Sequence, residues 1–353
     1  MIIKKILSLV ASITNLFIIQ IIFLSNSISD ENINKYFSND HGILSLMYHR
    51  FNENKYPSTN IRMEIFDEHI KIIKKLNYEF YNAKTFVDEF DKIKDKKKIL
   101  ITIDDGFKSF YTEAWPYLKK NKIPFILFVS TEPVGNNGYM NWDEIKEIEE
   151  SEFGYIGHHS HTHEYLIEMS DSEFINDIEI ANKIFLEKLG YVPEIFSYPF
   201  GEYSLFMKNY ISKNFKIAFG QHSGIIDINK DKFELPRFPI NEKYGDLKRF
   251  NSLINYMPLE YKNLKPIEKK INDKNNPPKV IIEFFENQKN IRNINCYSND
   301  GGTWKKPNLE FFNNILTINF DKKFLPRRGR VNCSLNDGGK WRWFGTQFVI
   351  TEN

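Results

Sequence analysis

Two short motifs in the sequence carry side chains that bind metal ions or move protons. The first is the pair Asp104 and Asp105, which follows the apolar run Ile99–Ile103 and precedes Gly106. Two adjacent carboxylates at the end of a buried strand are costly unless a cation or a proton-transfer role compensates them. An Asp-rich turn that caps the next helix is the structural alternative. The preceding strand favours the chemical interpretation, since α/β enzymes keep their chemistry at the carboxyl ends of strands.

The second motif contains four of the chain's eight histidines, in Gly157-His158-His159-Ser160-His161-Thr162-His163. On a helical turn, His159 and His163 would share a face and could bind one cation. With Asp105 they make a set of two imidazoles and one carboxylate, which leaves positions free for water and substrate. We therefore predict a catalytic metal site, with His158 and His161 as neighbours. An incidental histidine tract on the surface is the alternative.

These motifs need a scaffold, and the chain from residue 40 to residue 257 predicts an α/β domain. Apolar runs alternate there with amphipathic stretches, as in βα units around a mostly parallel sheet or barrel. The predicted strands are Ile43–Tyr48, Ile99–Ile103, Phe125–Ser130, Tyr155–His158, Ile195–Tyr198 and Ile217–Phe219. The predicted helices are Phe66–Leu76, Phe110–Lys120, Trp142–Glu150, Ser172–Leu189 and Leu205–Asn214.

The remaining chain has a different pattern. Residues 258–279 are rich in Lys, Asn and Pro without a clear period, which predicts a linker. Residues 280–353 contain four strand-like runs and no convincing helix, so we expect a small all-β, sandwich-like domain. Two similar segments in it each contain Asp-Gly-Gly, at Asp300 and at Asp337, which is the chemistry of hairpin tips.

The N-terminal residues 1–28 are typical of an export signal. Lys4 and Lys5 precede the apolar run Ile6–Leu24, and small residues follow. The run is also about as long as a membrane-spanning helix of roughly 20 residues, so a retained anchor is the alternative. Either outcome predicts an exported protein that is periplasmic, extracellular or membrane-anchored facing outward.

Charge and cysteine content narrow the partners and the compartment. The 48 basic residues nearly match 46 acidic ones, and the net charge of +2 gives no reason to expect a nucleic acid partner. The two cysteines, Cys296 and Cys333, make an even pair that an oxidising compartment would allow to form a disulfide. Two free thiols are the alternative.

The two chemical motifs together resemble signatures of a known enzyme family. Thr102-Ile103-Asp104-Asp105-Gly106 and His159-Ser160-His161-Thr162-His163 are similar to the first two signatures of the polysaccharide deacetylases, carbohydrate esterase family 4. The family's third signature, an Arg-x-Pro-Tyr-Gly-like loop, is matched in part by Ser197-Tyr198-Pro199-Phe200-Gly201. The resemblance covers the α/β region and not the C-terminal β region.

The resemblance implies a distorted (β/α) barrel of about seven strands and a metal-dependent hydrolase that removes acetyl groups from an N-acetylated polysaccharide. Its divalent metal would be Zn²⁺, held by Asp105, His159 and His163 and making its bound water more acidic. Asp104 would be the catalytic base. The loop with Tyr198 and Phe200 would contact the substrate and the oxyanion, with the backbone N–H of Phe200 as donor.

Two departures from the family pattern point to substitute residues. Ser197 stands where the family often has Arg, and Arg237 is the best candidate to hold Asp104 ionised. The chain has no histidine after His222, although the family's general acid is commonly a late histidine. His49, after an early strand, resembles the acid of the circularly permuted branch that includes deacetylases of poly-β-1,6-N-acetylglucosamine. The alternative is that His49 only ends a core strand.

Two other functions remain open from the sequence. A catalytically degenerate fold could bind carbohydrate through stacking on Trp304, Trp341 and Trp343. The same fold could also act as a deformylase or amidohydrolase on a smaller substrate. The complete set of predicted ligands favours a hydrolase over the degenerate fold.

Overall fold

The structure is a computed structural model that describes residues 42–93 and 98–351. The predicted export segment, residues 1–28, lies outside the described residues. Within the described ranges, none of the helices has the length and apolar content needed to span a membrane.

Eight parallel strands form the first part of the fold. In chain order the strands of residues 42–257 are β1 (Leu44–Tyr48), β2 (Arg50–Phe51), β3 (Asn60–Ile61), β4 (Glu79–Phe80), β5 (Lys98–Ile103), β6 (Phe125–Val129), β7 (Gly154–His158), β8 (Ile195–Ser197), β9 (Ile217–Phe219), β10 (Phe238–Pro239) and β11 (Met257–Pro258). Seven strands of the eight-stranded sheet follow the order β10-β1-β5-β6-β7-β8-β9, and the eighth, β4, pairs with β5. The prediction of a distorted barrel of about seven strands is confirmed.

Seven helices accompany these strands in the described ranges. They are α1 (Met63–Lys75), α2 (Phe86–Glu89), α3 (Trp115–Asn121), α4 (Trp142–Glu149), α5 (Asp171–Leu189), α6 (Leu205–Asn214) and α7 (Leu247–Leu253). A π-helical stretch, Phe110–Ala114, precedes α3 where we expected one continuous helix. Capping boxes, Asn141 with Glu144 and Ser170 with Glu173, begin α4 and α5.

Alternation along β5 decides which residues reach the inside of the sheet. Ile99, Ile101 and Ile103 pack in the cluster that contains the helix residues of α1, α3 and α4, whereas Leu100 packs in the cluster on the opposite face. Continuing this period of two places Thr102 and Asp104 on the inner face with Leu100. The apolar run therefore aims its final carboxylate into the barrel.

The segment Leu235–Pro239 brings the two edges of the sheet together. Leu235 pairs with Phe219 of β9, and β10 pairs with β1. Arg237 lies between these two attachments and is fully buried, with its guanidinium 5.3 Å from the Phe128 ring centroid. The closing segment thus carries a charged side chain into the barrel interior.

Residues 258–351 form two further sheets. Their strands are β12 (Asn263–Lys265), β13 (Lys270–Ile271), β14 (Val280–Glu283), β15 (Asn295–Asn299), β16 (Trp304–Lys305), β17 (Asn308–Phe312), β18 (Ile315–Asn319), β19 (Arg327–Asp337) and β20 (Lys340–Ile350). One sheet has the order β11-β20-β19-β15-β16, with β13 also paired to β20, and the other has the order β12-β14-β18-β17. The expected C-terminal β-sheets are present, and no helix longer than a 3-10 turn occurs among these described residues.

The segment predicted as a linker, residues 258–279, contributes strands to both C-terminal sheets. β12 pairs with β14, and β13 pairs with β20. The domain boundaries themselves stay a prediction. Both Asp-Gly-Gly segments lie at hairpin tips, between β15 and β16 and between β19 and β20. At the second tip Gly338 and Gly339 have φ of 58° and 88°, as a two-residue type I′ turn requires.

Cys296 and Cys333 are directly opposite each other on β15 and β19 and form a disulfide. Two of the tryptophans that suggested sugar stacking, Trp304 and Trp341, are 43% and 45% exposed. Trp343 instead stacks on Tyr256, with ring centroids 5.2 Å apart, and so packs the C-terminal sheet against the barrel.

Candidate active site

The two chemical motifs meet at the carboxyl ends of neighbouring strands. Asp104 and Asp105 follow β5, and His159 follows β7, with β6 between them in the sheet. One ligand atom each from Asp105, His159 and His163 lies within 4.8 Å of the others. The distance from Asp105 Oδ1 to His163 Nε2 is 3.0 Å, and to His159 Nε2 it is 3.4 Å. The three predicted metal ligands therefore converge on one point.

The backbone around this point is unusual. Among the described residues eight non-glycine residues have positive φ, and four of them lie here: Asp105, Ser160, His163 and Phe200. Each such conformation costs about 1–3 kcal/mol and persists only when the surroundings hold it. The histidine pair is therefore brought together by a loop with left-handed residues, and not by the helical turn that the spacing predicted.

Hydrogen bonds fix this histidine loop from behind. Asp177 of α5 accepts bonds from the backbone N–H groups of His161 and Thr162, at 2.8 and 3.0 Å. His159 Nδ1 donates to the carbonyl oxygen of Ser197 at 2.6 Å, which leaves Nε2 as the free nitrogen that faces Asp105. No sequence signal marked Asp177, because it lies in the middle of an ordinary amphipathic helix.

The orphaned atoms of the site suit a cation. Asp105 Oδ1 and His159 Nε2 are buried, and neither forms a hydrogen bond with acceptable geometry to any residue that the structure describes. Burial raises the pKa of Asp105, but His163 and His159 outweigh it and hold that pKa well below its usual value. Two imidazoles and a carboxylate are also ligand types that Zn²⁺ prefers. The residues present therefore fit a divalent metal.

Asp104 is fully buried beside the cluster and is paired with Arg237. Arg237 Nη1 and Nη2 donate to the two carboxylate oxygens at 2.6 and 2.8 Å, a bidentate geometry. Burial raises the pKa of Asp104, but the charges of Arg237 and His159 overcome it and leave the pKa lowered. Asp104 is thus ionised in the folded protein. The pairing is the one that the sequence analysis expected of Arg237.

Ser197 explains how Arg237 takes this position. The Oγ of Ser197 accepts a bond from Arg237 Nη2 at 2.8 Å, and Thr102 Oγ1 accepts one from Nη1 at 3.1 Å. A small side chain at position 197 therefore leaves room for a guanidinium that arrives from the closing segment. The signal for this was the serine in the third signature.

His49 lies next to Asp104 in the sheet. β1 and β5 pair in register with Tyr48 opposite Ile103, so His49 and Asp104 each come one residue later. Burial lowers the pKa of His49, while Asp105 and Asp104 act in the opposite direction. His49 therefore lies close enough to Asp104 and Asp105 for both charges to act on it.

The structure places the two predicted substrate-contacting residues of the third signature, Phe200 and Tyr198, in different surroundings. Phe200 has φ of 59°, and its ring lies 4.9 Å from the His163 ring, at the site. Tyr198 is fully buried and packs on Phe196 and Tyr203, with centroids 5.2 and 4.7 Å away. The alternation of β8 turns its side chain to the outer core, whereas Ser197 faces Arg237. The structure thus differs from the prediction that Tyr198 contacts substrate, since its side chain lies in the core.

His158 and His161 are neighbours of the site, as expected. His158 is fully buried against Phe185 and Phe196, and burial lowers its pKa to about 3. His161 pairs with Thr131 Oγ1 at 2.8 Å. Neither belongs to the cluster of candidate metal ligands, Asp105, His159 and His163.

The fold and the cluster define a class: an α/β barrel with a candidate cation site at the carboxyl ends of its strands. Residues 91–215 match the family model described as polysaccharide deacetylase, so the chain carries a polysaccharide deacetylase domain. This confirms the resemblance on which the sequence analysis relied.

Known deacetylases are similar to this chain in sequence and in structure. A poly-beta-1,6-N-acetyl-D-glucosamine N-deacetylase of Staphylococcus aureus is 27% identical over 192 residues, which cover 50% of this chain and 66% of that protein, just under two thirds. The deacetylase PplD of Streptococcus pyogenes, solved with acetate, has a TM-score of 0.55 at 20% identity over 60% of this chain and 98% of its own. IcaB from Ammonifex degensii has a TM-score of 0.54 at 23% identity over 61% and 98%. These structures share the fold of the α/β part.

Proposed function

We propose that this chain is a metal-dependent hydrolase that removes N-acetyl groups from a polysaccharide of the cell envelope or its exterior. One observation carries the proposal. Asp105, His159 and His163 converge within 4.8 Å beside Asp104, whose carboxylate is ionised by a buried arginine. Hydrolysis of an acetamide needs both features, a cation near the carbonyl and a fixed base near the water.

Asp105, His159 and His163 would hold the cation, with Zn²⁺ as the best match to their ligand types. Bound there, the cation would polarise the acetamide carbonyl and make the attacking water more acidic. The protein keeps the ligands ready for it. His159 cannot rotate away, because its Nδ1 donates to Ser197, and the histidine loop is tied to Asp177.

Asp104 takes the proton of the attacking water. Arg237 fixes both carboxylate oxygens and keeps them ionised, so the base has one orientation and does not need to be deprotonated first. Each oxygen keeps a second lone pair that can accept the proton. The role of Arg237 is thus to position and charge the base.

His49 delivers a proton to the departing sugar amine. It lies beside Asp104 through the paired ends of β1 and β5. Because burial lowers its pKa, its protonated form is a stronger acid than an ordinary imidazolium and releases the proton readily. The backbone N–H of Phe200, on the left-handed turn, is the proposed donor to the oxyanion.

The proposed substrate is a polymer of β-1,6-linked N-acetylglucosamine. The support is the name of the staphylococcal relative and its 27% identity over half of this chain. An exported location agrees with such a substrate, and the disulfide between Cys296 and Cys333 supports an oxidising compartment.

An acetate-release assay tests this function. The Zn²⁺-loaded protein is incubated with β-1,6-linked N-acetylglucosamine oligomers, chitin oligomers and peptidoglycan, and the metal content is measured on the same sample. Acetate should be released fastest from the β-1,6 oligomers. The matched control is Asp104→Asn, which keeps the side-chain shape and should be inactive with its metal retained. Absence of acetate from all three substrates with full metal occupancy would rule the proposal out.

A further inference from the structure

The strand β20 of the C-terminal sheet touches the turn that carries Phe200. Gln347, 4% exposed, lies on this strand, and its Nε2 donates to the carbonyl oxygens of Phe200 and of Gly201, each at 3.3 Å. Arg330 of β19 donates to Gln347 Oε1 at 3.1 Å, which fixes the amide so that its NH₂ group faces the turn. Both hydrogens of one side-chain amide are therefore used on a single turn.

The bonds of this turn determine the direction of the Phe200 N–H. Peptide groups are planar, so fixing the two ends of a group fixes its plane. The Phe200 carbonyl is held by Gln347, and the next N–H, that of Gly201, donates to Tyr198 at 2.8 Å. The Pro199 carbonyl accepts from the N–H of Glu202 at 3.1 Å. The peptide groups on both sides of Phe200 are thus each hydrogen-bonded, which restricts the direction of its own N–H.

A second contact from the same sheet holds the end of the turn. Glu202 is 2% exposed and accepts bonds from Arg327 Nε and Nη2 at 3.1 and 2.6 Å, and Arg328 Nε lies 3.2 Å from it. Arg327 and Arg328 begin β19. A buried carboxylate needs such partners, so the turn is held to the C-terminal sheet by charge as well as by the amide.

The strand β20 of the C-terminal sheet also approaches the barrel closely beside this turn. A Cβ added at Gly345 of β20 would lie 2.0 Å from the carbonyl oxygen of Ser223 in the barrel. Val349, also on β20, packs in the cluster that contains Tyr198 and Tyr203. The strand therefore lies directly against the loop behind the site.

We propose that Gln347 is a positioning residue for deacetylation, and that the C-terminal β-sheet completes the active site by holding the Phe200 turn in its left-handed conformation. This inference rests on the proposed function, in which the Phe200 N–H binds the developing oxyanion. An oxyanion donor acts through its fixed position, since it must already lie where the charge appears. Loss of Gln347 should therefore slow the chemical step without weakening substrate binding.

The test compares full-length wild-type protein with Gln347→Met, which keeps the length of the side chain and removes both donors. We expect kcat for acetate release from a short N-acetylated oligomer to fall roughly ten- to hundredfold with little change in KM and in bound metal. Gln347→Glu keeps the acceptor for Arg330 but places a carboxylate oxygen against the carbonyl oxygens of Phe200 and Gly201, which repel it. Its kcat should therefore be no higher than that of Gln347→Met. Ser298→Ala is the control, a buried polar residue of β15, which β19 separates from β20.

Hydrogen–deuterium exchange of the peptides around residues 196–204 gives a readout that does not depend on activity. Exchange of the turn should become faster in Gln347→Met and stay unchanged in Ser298→Ala, with the same thermal midpoint for all three proteins. An active wild type with unchanged kcat and exchange in Gln347→Met would overturn the inference alone. An inactive wild type whose turn still loosens in Gln347→Met would overturn the proposed function and with it the role in deacetylation.

Discussion

Asp104 and Arg237 are 133 positions apart in the chain, yet the two η nitrogens of Arg237 hold the two carboxylate oxygens of Asp104 inside the barrel. Both side chains have no exposed surface. Two isolated charges in such a place would each cost several kcal/mol, so each depends on the other for its charged state.

Removing one partner should therefore damage both stability and activity. We expect Arg237→Met to lower the free energy of unfolding by about 3–5 kcal/mol, because Asp104 is left buried without its counter-charge. Turnover should fall as well, since the pKa of Asp104 rises and the base loses its charge. Denaturant unfolding and acetate release on the same preparation measure the two effects.

A double variant separates the charge from the packing. Asp104→Asn in the Arg237→Met background needs no counter-charge, so part of the lost stability should return even though the protein stays inactive. Simple addition of the two single-variant losses would contradict a mutual dependence of the two charges.

Substitutions of His49 and His159 should have different effects on the metal. His159→Gln should lose bound metal and turnover together, because it removes one of three ligands. His49→Gln should keep the metal and lose kcat by roughly 10²–10⁴-fold, the usual contribution of a general acid. Metal analysis after dialysis, alongside kcat and KM, distinguishes them. Unchanged kcat in His49→Gln would leave it as the end of a core strand.

His69 of α1 should make the protein acid-sensitive. Its Nε2 donates to the Gly245 carbonyl at 2.7 Å, its Nδ1 accepts from Tyr48 Oη at 3.2 Å, and its ring stacks on Phe250. Burial lowers its pKa from 6.5 to about 4, so the unfolded chain binds more protons between these values. The stabilisation is complete above pH 6.5 and is lost as the pH falls towards 4, up to about 3 kcal/mol.

Unfolding free energies between pH 7 and pH 4 measure this effect. The control is His69→Phe, which keeps a ring on Phe250 and cannot titrate. The difference between wild type and variant isolates His69 from the other histidines whose pKa values burial lowers, His49, His158 and His222. Equal pH slopes for the two proteins would refute the role of His69.

The disulfide should stabilise the C-terminal sheet. Cys296 and Cys333 are 37 residues apart, and closing a loop of this length in the unfolded chain corresponds to about 3–4 kcal/mol. We expect the double variant Cys296→Ala with Cys333→Ala to unfold at lower denaturant concentration, as does wild type in reductant. Thiol labelling that finds two free cysteines in the unreduced protein would contradict the bond.

Local sequence patterns predicted most of the barrel strands and the three candidate metal ligands that the structure brings together. The apolar runs that end in Asp104 and in His158 are strands, and parallel strands place their carboxyl ends together. The position of Arg237 was inferable only because Ser197 left a charge unaccounted for. Tertiary structure determines the position of Arg237, because the closing segment is held by pairing with β9 and β1. No local sequence pattern encodes that pairing.

The parts that sequence reasoning missed depend on contacts between distant segments. Residues 258–279 have no period of their own and become strands only by pairing with β14 and β20. Gln347 and Glu202 look like ordinary polar residues in the sequence. Gln347 reaches the Phe200 carbonyl and Glu202 reaches Arg327 only because the C-terminal sheet packs against the turn. Tyr198 was misplaced because its neighbour Ser197, not Tyr198, has the inward phase of β8.

Closure of the barrel by Leu235–Pro239 has a consequence for the order of synthesis. A nascent chain that ends before Leu235 already contains Asp105, His159 and His163, but it has neither Arg237 nor the partner for the open edges of β1 and β9. In such a chain the carboxylate of Asp104 would have no counter-charge. The chain therefore acquires its candidate metal ligands before it acquires the residue that keeps Asp104 charged, and Gln347 follows later still.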